Sequence, residues 1–358
     1  MSTGETRAVR LTRWGGPPVL TELPRPVPTG QEVLVRVEAA GLCGSDLHVI
    51  DATPGSLPYR IPFTLGHEVA GRVVERGPQS VGPAVGERVV VYGPWGCGRC
   101  ANCTSGAENY CDRRTALDRA LTGTGAGLGH DGGMADVLLV PSGRLLVPVG
   151  DLDAVQAAPL TDAGLTAYHA VTAVRHALAD GGGVVVLGVG GLGHLAVQIL
   201  RATTTARVLA VDVRAEALAL ADACGAHFAT LLRPDTAQVL RARTAGAGAV
   251  AVLDFVGSRS SLELAVAVLR AGGELAVVGS GGGELTVRKP GALPPGTRIS
   301  LPFWGTVPEL ERVVTLAREG SLRVEVERYT LPGALEAIER LRAGAVRGRA
   351  VIVPDGPS

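Results

Sequence analysis

The sequence contains few aromatic residues and carries no net charge. Aromatic side chains make up only 3% of its 358 residues, although 46% of the residues are hydrophobic. Valine, leucine and alanine must therefore fill the cores of a chain whose length predicts two domains. Because a nucleic-acid binder needs a basic face, the formal net charge of zero argues against a nucleic-acid partner.

The sequence also lacks an obvious targeting or membrane segment. Its start, MSTGETRAVR, has no apolar run of the kind that a secretory signal requires. The longest uncharged stretch, residues 181–200, is long enough to span a bilayer, but it is rich in glycine and contains His194 and Gln198. We expect a soluble, cytoplasmic protein with no membrane partner. In a reducing cytosol, grouped cysteines indicate a metal site rather than disulfides.

The pattern of apolar residues changes near residue 164. Before it, short apolar runs separated by glycine and proline predict a β-rich barrel or sandwich. After it, apolar strands alternate with helical stretches, which predicts an α/β domain with a parallel sheet covered on both faces. Six strands would complete a dinucleotide-binding sheet. The predicted strands are 184–188, 207–212, 227–232, 250–257, 274–279 and 298–304.

A glycine-rich turn follows the first of these strands. In VVVLGVGGLGHLAVQIL, Gly188, Gly190 and Gly193 have the spacing G-x-G-x-x-G, with Gly191 and Leu192 between them. The motif alone is weak in a chain with 50 glycines, but a strand precedes it and a helix follows it. Glycine lets the backbone approach a pyrophosphate at the helix N-terminus. The stretch therefore predicts dinucleotide binding, with a plain strand–helix turn as the alternative.

Asp212 ends the next predicted strand, 19 residues after Gly193. A carboxylate at this position accepts hydrogen bonds from the ribose hydroxyls and repels a 2′-phosphate, which favours NAD over NADP. Arg214 stands close by and weakens that preference slightly. The alternative is an aspartate that simply faces solvent.

Four of the six cysteines lie in PWGCGRCANCTSGAENYC, residues 94–111. They are Cys97, Cys100, Cys103 and Cys111. Four thiolates form the closed tetrahedron of a structural zinc site, which leaves no position open for a substrate. We therefore predict that they hold a lobe, about residues 94–112, together. An iron–sulfur cluster, which also uses four cysteines, and unmetallated thiols are the alternatives.

A second group of possible ligands is spread along the chain. It comprises Cys43 in GLCGSDLH, His67 and Glu68 in LGHEVAG, and Asp162 in APLTDAGLTAYH. Each alone means little, because a buried cysteine is usually a core residue and an aspartate often caps a helix. Together, ligands with sulfur, nitrogen and oxygen are typical of a catalytic zinc site that keeps one position open.

These stretches, with GGMADVLLVP and the terminal GRAVIVP, resemble the zinc-dependent medium-chain alcohol dehydrogenases over essentially the whole chain. The resemblance implies a Rossmann doubly wound parallel sheet, residues 164–303, inserted into a GroES-like β-barrel catalytic domain. Residues 1–163 and 304–358 would form that catalytic domain. The resemblance also implies two zinc ions per chain, NAD as cofactor, and a homodimer or homotetramer.

The same resemblance assigns roles to individual residues. It implies Cys43, His67 and Asp162 as catalytic-zinc ligands, Glu68 as a neighbouring carboxylate that can approach the metal, Ser45 and His48 as a proton relay, and Arg349 as a residue near the cofactor pyrophosphate. Many relatives have cysteine in place of Asp162, and the aspartate form resembles a bacterial branch that acts on secondary alcohols. Val307 stands where relatives often carry an arginine that contacts the cofactor.

Rare aromatic residues suggest the substrate pocket. Tyr59, Trp95, Phe303 and Trp304 lie in segments expected near the cleft, where they would favour hydrophobic groups beside the carbinol. Ordinary core or subunit packing is the alternative for each of them.

The function we predict is reversible hydride transfer between a secondary, hydrophobic alcohol and NAD, with the ketone as product. Zinc in such a site lowers the pKa of an alcohol oxygen, and the proton would leave through Ser45, the nicotinamide ribose and His48 to solvent. An alternative is a dehydrogenase dedicated to a polyol, an amino alcohol or a specialised metabolite. A catalytically inactive nucleotide-binding relative and a zinc-free quinone reductase are both disfavoured, because the zinc ligands and relay residues are intact.

Overall fold

The computed structural model describes residues 4–114 and 123–354. The strands are β1 Glu5–Leu11, β2 Val19–Pro24, β3 Val33–Leu42, β4 Phe63–Thr64, β5 Glu68–Arg76, β6 Arg88–Val91, β7 Gly125–Ala126, β8 Gly129–His130, β9 Val137–Val140, β10 Leu146–Pro148, β11 Gly183–Leu187, β12 Arg207–Asp212, β13 Phe228–Leu231, β14 Ala249–Asp254, β15 Leu269–Val277, β16 Arg298–Ser300, β17 Val326–Thr330 and β18 Arg349–Val353. The α-helices are α1 Gly44–Ile50, α2 Ala101–Thr104, α3 Ala154–Ala157, α4 Ala163–Ala173, α5 Arg175–Leu178, α6 Gly193–Thr203, α7 Ala215–Ala223, α8 Thr236–Arg243, α9 Arg259–Val268, α10 Val307–Arg318 and α11 Ala334–Arg342.

The chain folds into two compact units. The first contains Met1–Leu165 and Thr306–Ser358, and the second contains Thr166–Gly305. Both chain ends therefore belong to the first unit. In the described ranges 4–114 and 123–354, no helix is long and apolar enough to cross a membrane.

The first unit is built mainly from β-strands. Its largest sheet has the order β10-β6-β5-β3-β18-β17, with β9 paired to β3, and smaller sheets have the orders β2-β1-β4 and β7-β8. The C-terminal strand β18 pairs with β3, with Ala350 opposite Leu42 and Val351 opposite Gly41. The last strand of the described residues thus lies between β3 and β17, so segments from both parts of this unit build one sheet.

The second unit is a six-stranded parallel sheet with the order β13-β12-β11-β14-β15-β16. The order runs outward in both directions from β11, which is the arrangement of a doubly wound dinucleotide-binding sheet. The central strands are continuous apolar runs buried on both faces, as parallel sheets require, and Val184, Val185 and Val186 are fully buried. The predicted fold class is confirmed, with a doubly wound parallel sheet in one unit and a β-rich unit made of both chain ends.

Three of the predicted strands are shorter in the structure, and the one predicted at 227–232 runs only from Phe228 to Leu231. The strand predicted at 250–257 ends at Asp254, because the Asp254 carboxylate accepts hydrogen bonds from the backbone N–H groups of Val256 and Gly257 and turns the chain out of the ladder. The strand predicted at 298–304 ends at Ser300, shortly before Pro302, which has no N–H to donate.

Candidate active site and cofactor turn

The loop that carries Cys43 is fixed by the helix that follows it. Cys43 is the N-cap of α1, and its Sγ accepts a hydrogen bond from the Ser45 backbone N–H at 3.3 Å. The Asp46 side chain completes a capping box by accepting the Cys43 N–H at 2.9 Å. These bonds hold the thiol, which is 5% exposed, in one orientation at the end of β3.

His67 lies immediately before β5, and a buried carboxylate orients its ring. The Nδ1 atom of His67 is 3.3 Å from Oδ1 of Asp46, while its Nε2 is 3.5 Å from Oδ2 of Asp162. Burial alone would lower the pKa of His67, but Asp46 and Cys43 raise it well above its usual value. A histidine whose second ring nitrogen faces a carboxylate is the usual arrangement of a zinc-ligating imidazole.

Cys43, His67 and Asp162 come together in the structure, as the sequence predicted. Their ligand atoms lie within 4.8 Å of one another, and all three residues are in the first unit. Asp162 Oδ2 lies 3.5 Å from the Sγ of Cys43 and 3.5 Å from the Nε2 of His67. Zinc–ligand bonds of about 2.0–2.3 Å give ligand separations of roughly 3.3–3.8 Å across a tetrahedron. The donor set and its spacing therefore fit one zinc ion with a fourth position open.

Glu68 and Arg349 form a buried ion pair beside this group. Arg349 Nε donates to Glu68 Oε2 at 2.8 Å, and its Nη2 donates both to Glu68 Oε1 and to Asp162 Oδ2, the latter at 3.3 Å. The backbone N–H of Ala163 donates to Glu68 Oε1 at 2.9 Å. Burial lowers the pKa of Arg349, but Glu68, Cys43 and Asp162 together raise it well above its usual value, so the guanidinium stays charged.

Gly41 makes this ion pair possible. In the sheet, Gly41 lies opposite Val351 of β18 on one side and opposite Glu68 of β5 on the other. A Cβ atom at position 41 would lie 1.8 Å from Glu68 Oε2. Because β3 has no side chain at this point, the Glu68 side chain on β5 can extend across β3 to Arg349 on β18.

The two predicted relay residues lie on α1, three positions apart. Ser45 is half-buried and its backbone N–H donates to the Cys43 thiol, whereas His48 is exposed in the last turn of the helix. Residues three apart share one face of a helix. This arrangement is compatible with a proton path from the buried end of the helix to solvent, and the relay stays a prediction.

The four predicted pocket aromatics divide between the two units. Tyr59 donates or accepts a 3.1 Å hydrogen bond with Thr124, and the Trp95 ring stacks on His130 with centroids 5.3 Å apart. These residues belong to the first unit. Trp95 is buried, and its indole N–H donates to the Tyr92 backbone oxygen, so part of its role is packing.

Phe303 and Trp304 belong to the second unit. Their rings pack edge to face with centroids 5.5 Å apart, and Phe303 is exposed whereas Trp304 is buried. Trp304 has a φ of 52°, a left-handed conformation that is uncommon for a bulky residue. Such strain occurs where surrounding structure fixes a residue for function, so Trp304 remains a candidate pocket residue.

The four cysteines of the lobe also converge. The sulfur atoms of Cys97, Cys100, Cys103 and Cys111 lie within 4.8 Å of one another, and the Cys97 and Cys103 sulfurs are 3.9 Å apart. Burial and the neighbouring thiols raise the pKa of Cys103 to about 12. Burial would also raise the pKa of Cys97, but hydrogen bonds from backbone N–H groups outweigh it and lower the pKa to about 6. Four thiols this close can ionise together only with a cation among them, so the group fits a closed structural zinc site.

A buried carboxylate that sequence reasoning missed links this lobe to the 3-10 turn Gly143–Leu145, which precedes β10. Glu108 accepts the Gly96 backbone N–H at 3.0 Å and an N–H from Arg144. Arg144 also donates to the Gly96 backbone oxygen at 3.0 Å. Asp46 was missed as well, although its place three residues after Cys43 matches a capping box and could have indicated it. No local pattern in the sequence marks the Glu108–Arg144 pair.

The glycine-rich turn has the geometry that its spacing predicted. Gly188 has a φ of 83°, and a Cβ atom on Gly193, the first residue of α6, would lie 1.9 Å from the Gly188 backbone oxygen. Gly190 is open by comparison, because only the Arg214 guanidinium, at 3.8 Å, lies within 4 Å of a Cβ there. Two glycines are thus needed for the turn, and the third leaves the helix N-terminus accessible to a phosphate.

Asp212 lies at the end of β12, beside this turn. Its Oδ2 accepts the Val189 backbone N–H at 2.7 Å, and its Oδ1 accepts the Arg214 backbone N–H at 3.0 Å. A carboxylate offers about four lone-pair positions, so it can still accept bonds from ribose hydroxyls. The neighbouring pocket has an empty volume of about 420 Å³ and is lined by Asp212, Val213, Val256 and Ser258, among other residues. Its apolar walls suit a flat heterocyclic base.

Two family models match the chain. The alcohol dehydrogenase GroES-like domain matches residues 29–151, and the zinc-binding dehydrogenase domain matches residues 191–319. A Sulfurisphaera tokodaii protein named NAD-dependent alcohol dehydrogenase is 36% identical over 358 aligned residues, which cover 97% of this chain and all of the relative.

Solved structures give the same result. The alcohol dehydrogenase of Aeropyrum pernix superposes with a TM-score of 0.89 at 34% identity, covering 97% of this chain and 100% of the other. The acetophenone reductase of Geotrichum candidum, solved with NAD, superposes with a TM-score of 0.84 at 30% identity, covering 99% of this chain and 98% of the other.

Proposed function

The chain belongs to the zinc-dependent medium-chain alcohol dehydrogenase family, and on that premise we propose that it interconverts a secondary alcohol and its ketone with NAD. The observation that carries this proposal is the convergence of Cys43, His67 and Asp162 into a three-ligand site that fits zinc and leaves one position open. A site of four protein ligands, such as the cysteine lobe, has no such position.

Zinc held by these three side chains would supply a Lewis acid that lowers the pKa of a bound alcohol. NAD held at the glycine turn would accept the hydride. The chain's own contribution is to fix the ligands and to move the proton. Asp46 orients His67, and the α1 cap orients Cys43. The Ser45 hydroxyl would take the substrate proton, and the exposed His48 imidazole would pass it to solvent.

We also propose that NAD is preferred over NADP. The Asp212 carboxylate would face the ribose hydroxyls, where a 2′-phosphate would be repelled. Arg214, the nearby cation that could favour NADP, donates to Asp212 Oδ1 through both its backbone N–H at 3.0 Å and its Nε at 3.4 Å. That pairing compensates part of its charge and supports the preference for NAD.

The proposed substrate is hydrophobic beside its carbinol carbon. Tyr59 and Trp95 are candidates for the pocket wall, as are Phe303 and Trp304, and the related acetophenone reductase is named for an aromatic ketone. A dedicated polar substrate, such as a polyol or an amino alcohol, would instead give turnover with one compound and little with simple alcohols.

For assembly, we propose a homodimer or homotetramer. Strand β16 is an edge strand of the sheet in the second unit. Three exposed apolar side chains lie in this strand or directly after it, namely Ile299, Leu301 and Phe303. Leu301 is 74% exposed, and a group of exposed apolar side chains, unlike a single one, is typical of a surface that a partner covers. Light scattering of the wild-type protein and of Leu301→Glu tests this, since loss of the oligomer in the variant supports the edge as the contact and a monomeric wild type contradicts it.

The activity itself is tested by following reduction of NAD and of NADP with a panel of primary and secondary alcohols. We expect secondary alcohols with NAD to be the best pair. Ser45→Ala should lose most of its turnover while it retains two zinc ions per chain. Full activity in that variant would contradict the relay, and no turnover of simple alcohols by protein that holds both zincs would favour a dedicated substrate.

A further inference from the structure

The Arg349 guanidinium, for which the family resemblance implies a place near the cofactor pyrophosphate, is enclosed in the metal site. Its side chain is only 5% exposed. Three of its hydrogen bonds go to carboxylates, two to Glu68 and one to Asp162. A bidentate arginine–carboxylate pair fixes both partners in one plane, with little freedom to turn.

From these contacts we propose that Arg349 is a positioning residue of the catalytic metal site, which acts by holding the zinc ligand Asp162 and its neighbour Glu68. The proposal deepens the function proposed above and rests on zinc binding at Cys43, His67 and Asp162. It differs from a cofactor role, because it predicts an effect on the metal when no nucleotide is present.

The bond to Asp162 is the important one. A carboxylate has two oxygens and can rotate, so a site that uses one of them needs a second group to select it. Arg349 Nη2 lies 3.3 Å from Oδ2 of Asp162, and this oxygen is the one 3.5 Å from both Cys43 Sγ and His67 Nε2. The arginine thus holds in place the oxygen that faces the other two ligands.

Glu68 provides the fixed support for the arginine. It is fully buried, and its Oε1 is also tied to the backbone N–H of Ala163, the residue after Asp162. The carboxylate therefore contacts both the guanidinium and the backbone of the ligand segment. Removing the arginine would leave the fully buried Glu68 carboxylate without its cation, and removing such a partner is strongly destabilising.

The test measures metal retention in the full-length, zinc-loaded protein without nucleotide. Release of zinc to a chromogenic chelator should show two pools, one from the four-cysteine lobe and one from the catalytic site. Arg349→Lys keeps the positive charge but loses the planar guanidinium with its paired N–H donors. In this variant we expect the catalytic zinc to bind about 10–100-fold more weakly, a typical effect of changing a residue that orients a metal ligand. The lobe pool should be unchanged.

Arg347→Gln is the matched control. Arg347 precedes the same strand, pairs with Glu325 and has a side chain that is 56% exposed. Its zinc release should match the wild type. The double variant Glu68→Gln/Arg349→Gln keeps the test valid if a single substitution prevents folding, because it removes both buried charges and leaves neither unpaired. It should fold and still lose catalytic zinc faster than the wild type.

Two further readouts separate a positioning role from a cofactor role. In cobalt-substituted protein, Arg349→Lys should shift the absorption bands of the catalytic cobalt, while the bands of the four-thiolate cobalt stay in place. NADH affinity, measured by fluorescence titration of fully metal-loaded protein, should be unchanged. Normal metal retention with weakened NADH binding would overturn the proposal in favour of a pyrophosphate contact. Because no substrate is added, the result stands even if the proposed alcohol dehydrogenase activity fails.

Discussion

Gly41→Ala should disrupt the metal site from a position that contributes no side chain to it. The added methyl carbon would lie 1.8 Å from Glu68 Oε2 and 2.9 Å from both Cβ and Cδ of Glu68. Glu68 cannot simply turn away, because Arg349 and the Ala163 N–H both hold its carboxylate. Breaking a buried ion pair costs about 3–5 kcal/mol. At about 3 kcal/mol, a domain of about 200 residues should lose roughly 6–12 °C in Tm.

Gly44→Ala is the control for this variant. Gly44 lies three residues along the same chain, and nothing is within 4 Å of a Cβ atom placed there. Scanning calorimetry of both variants at one scan rate, with zinc content determined on the same samples, should show a large loss only for the change at position 41. If Gly41→Ala melted within about 1 °C of the wild type with full zinc content, the Glu68 side chain could adopt another conformation, and the claim that it is rigidly held would be refuted.

Three further predictions concern other parts of the chain. Gly193→Ala should unfold the cofactor turn, because its methyl would meet a backbone oxygen at 1.9 Å, whereas Gly190→Ala should melt normally but bind NADH more weakly in a fluorescence titration. Burial would raise the pKa of Glu327, but hydrogen bonds from a backbone N–H, a tyrosine and an arginine lower it. The stability that the ionised Glu327 contributes is therefore present above the unfolded pKa of about 4.3 and is lost as pH falls through the lower folded pKa. The difference in Tm between wild type and Glu327→Gln should accordingly shrink below about pH 4. Arg144→Gln should speed release of the lobe zinc alone, since it leaves Glu108 buried without its cation; equal release rates would contradict that role.

Features that depend on short stretches of sequence could be predicted well. The lobe cysteines fall within fifteen positions, so their convergence needs only a loop that closes on itself. The glycine turn is equally local, because the strand before it and the helix after it define its geometry. The strand ends were predicted less well, since Asp254 ends β14 through hydrogen bonds to its own following backbone, and such side-chain turns have no hydrophobic period.

Features that depend on sheet register could not be derived from pattern alone. Arg349 meets Glu68 because β18 and β5 pair with opposite edges of β3, and because the residue between them is Gly41. Nothing near position 349 in the sequence indicates a carboxylate 281 residues away. Asp162 could be grouped with Cys43 and His67 as a possible ligand, but only the family resemblance assigned it to the zinc, since a lone aspartate before a helix is normally a cap.

The use of aspartate rather than cysteine at position 162 has a consequence that can be tested. A thiolate offers one sulfur to a metal, whereas a carboxylate offers two oxygens and needs a donor to choose between them. Arg349 should therefore matter more to a site with Asp162 than to one with cysteine there. We expect zinc retention in Asp162→Cys to fall less on the further change Arg349→Lys than it falls in the wild-type background. Such non-additivity, measured as a double-mutant cycle of chelator release, would show that the two residues act as one unit. Purely additive losses would mean that Arg349 acts through Glu68 alone.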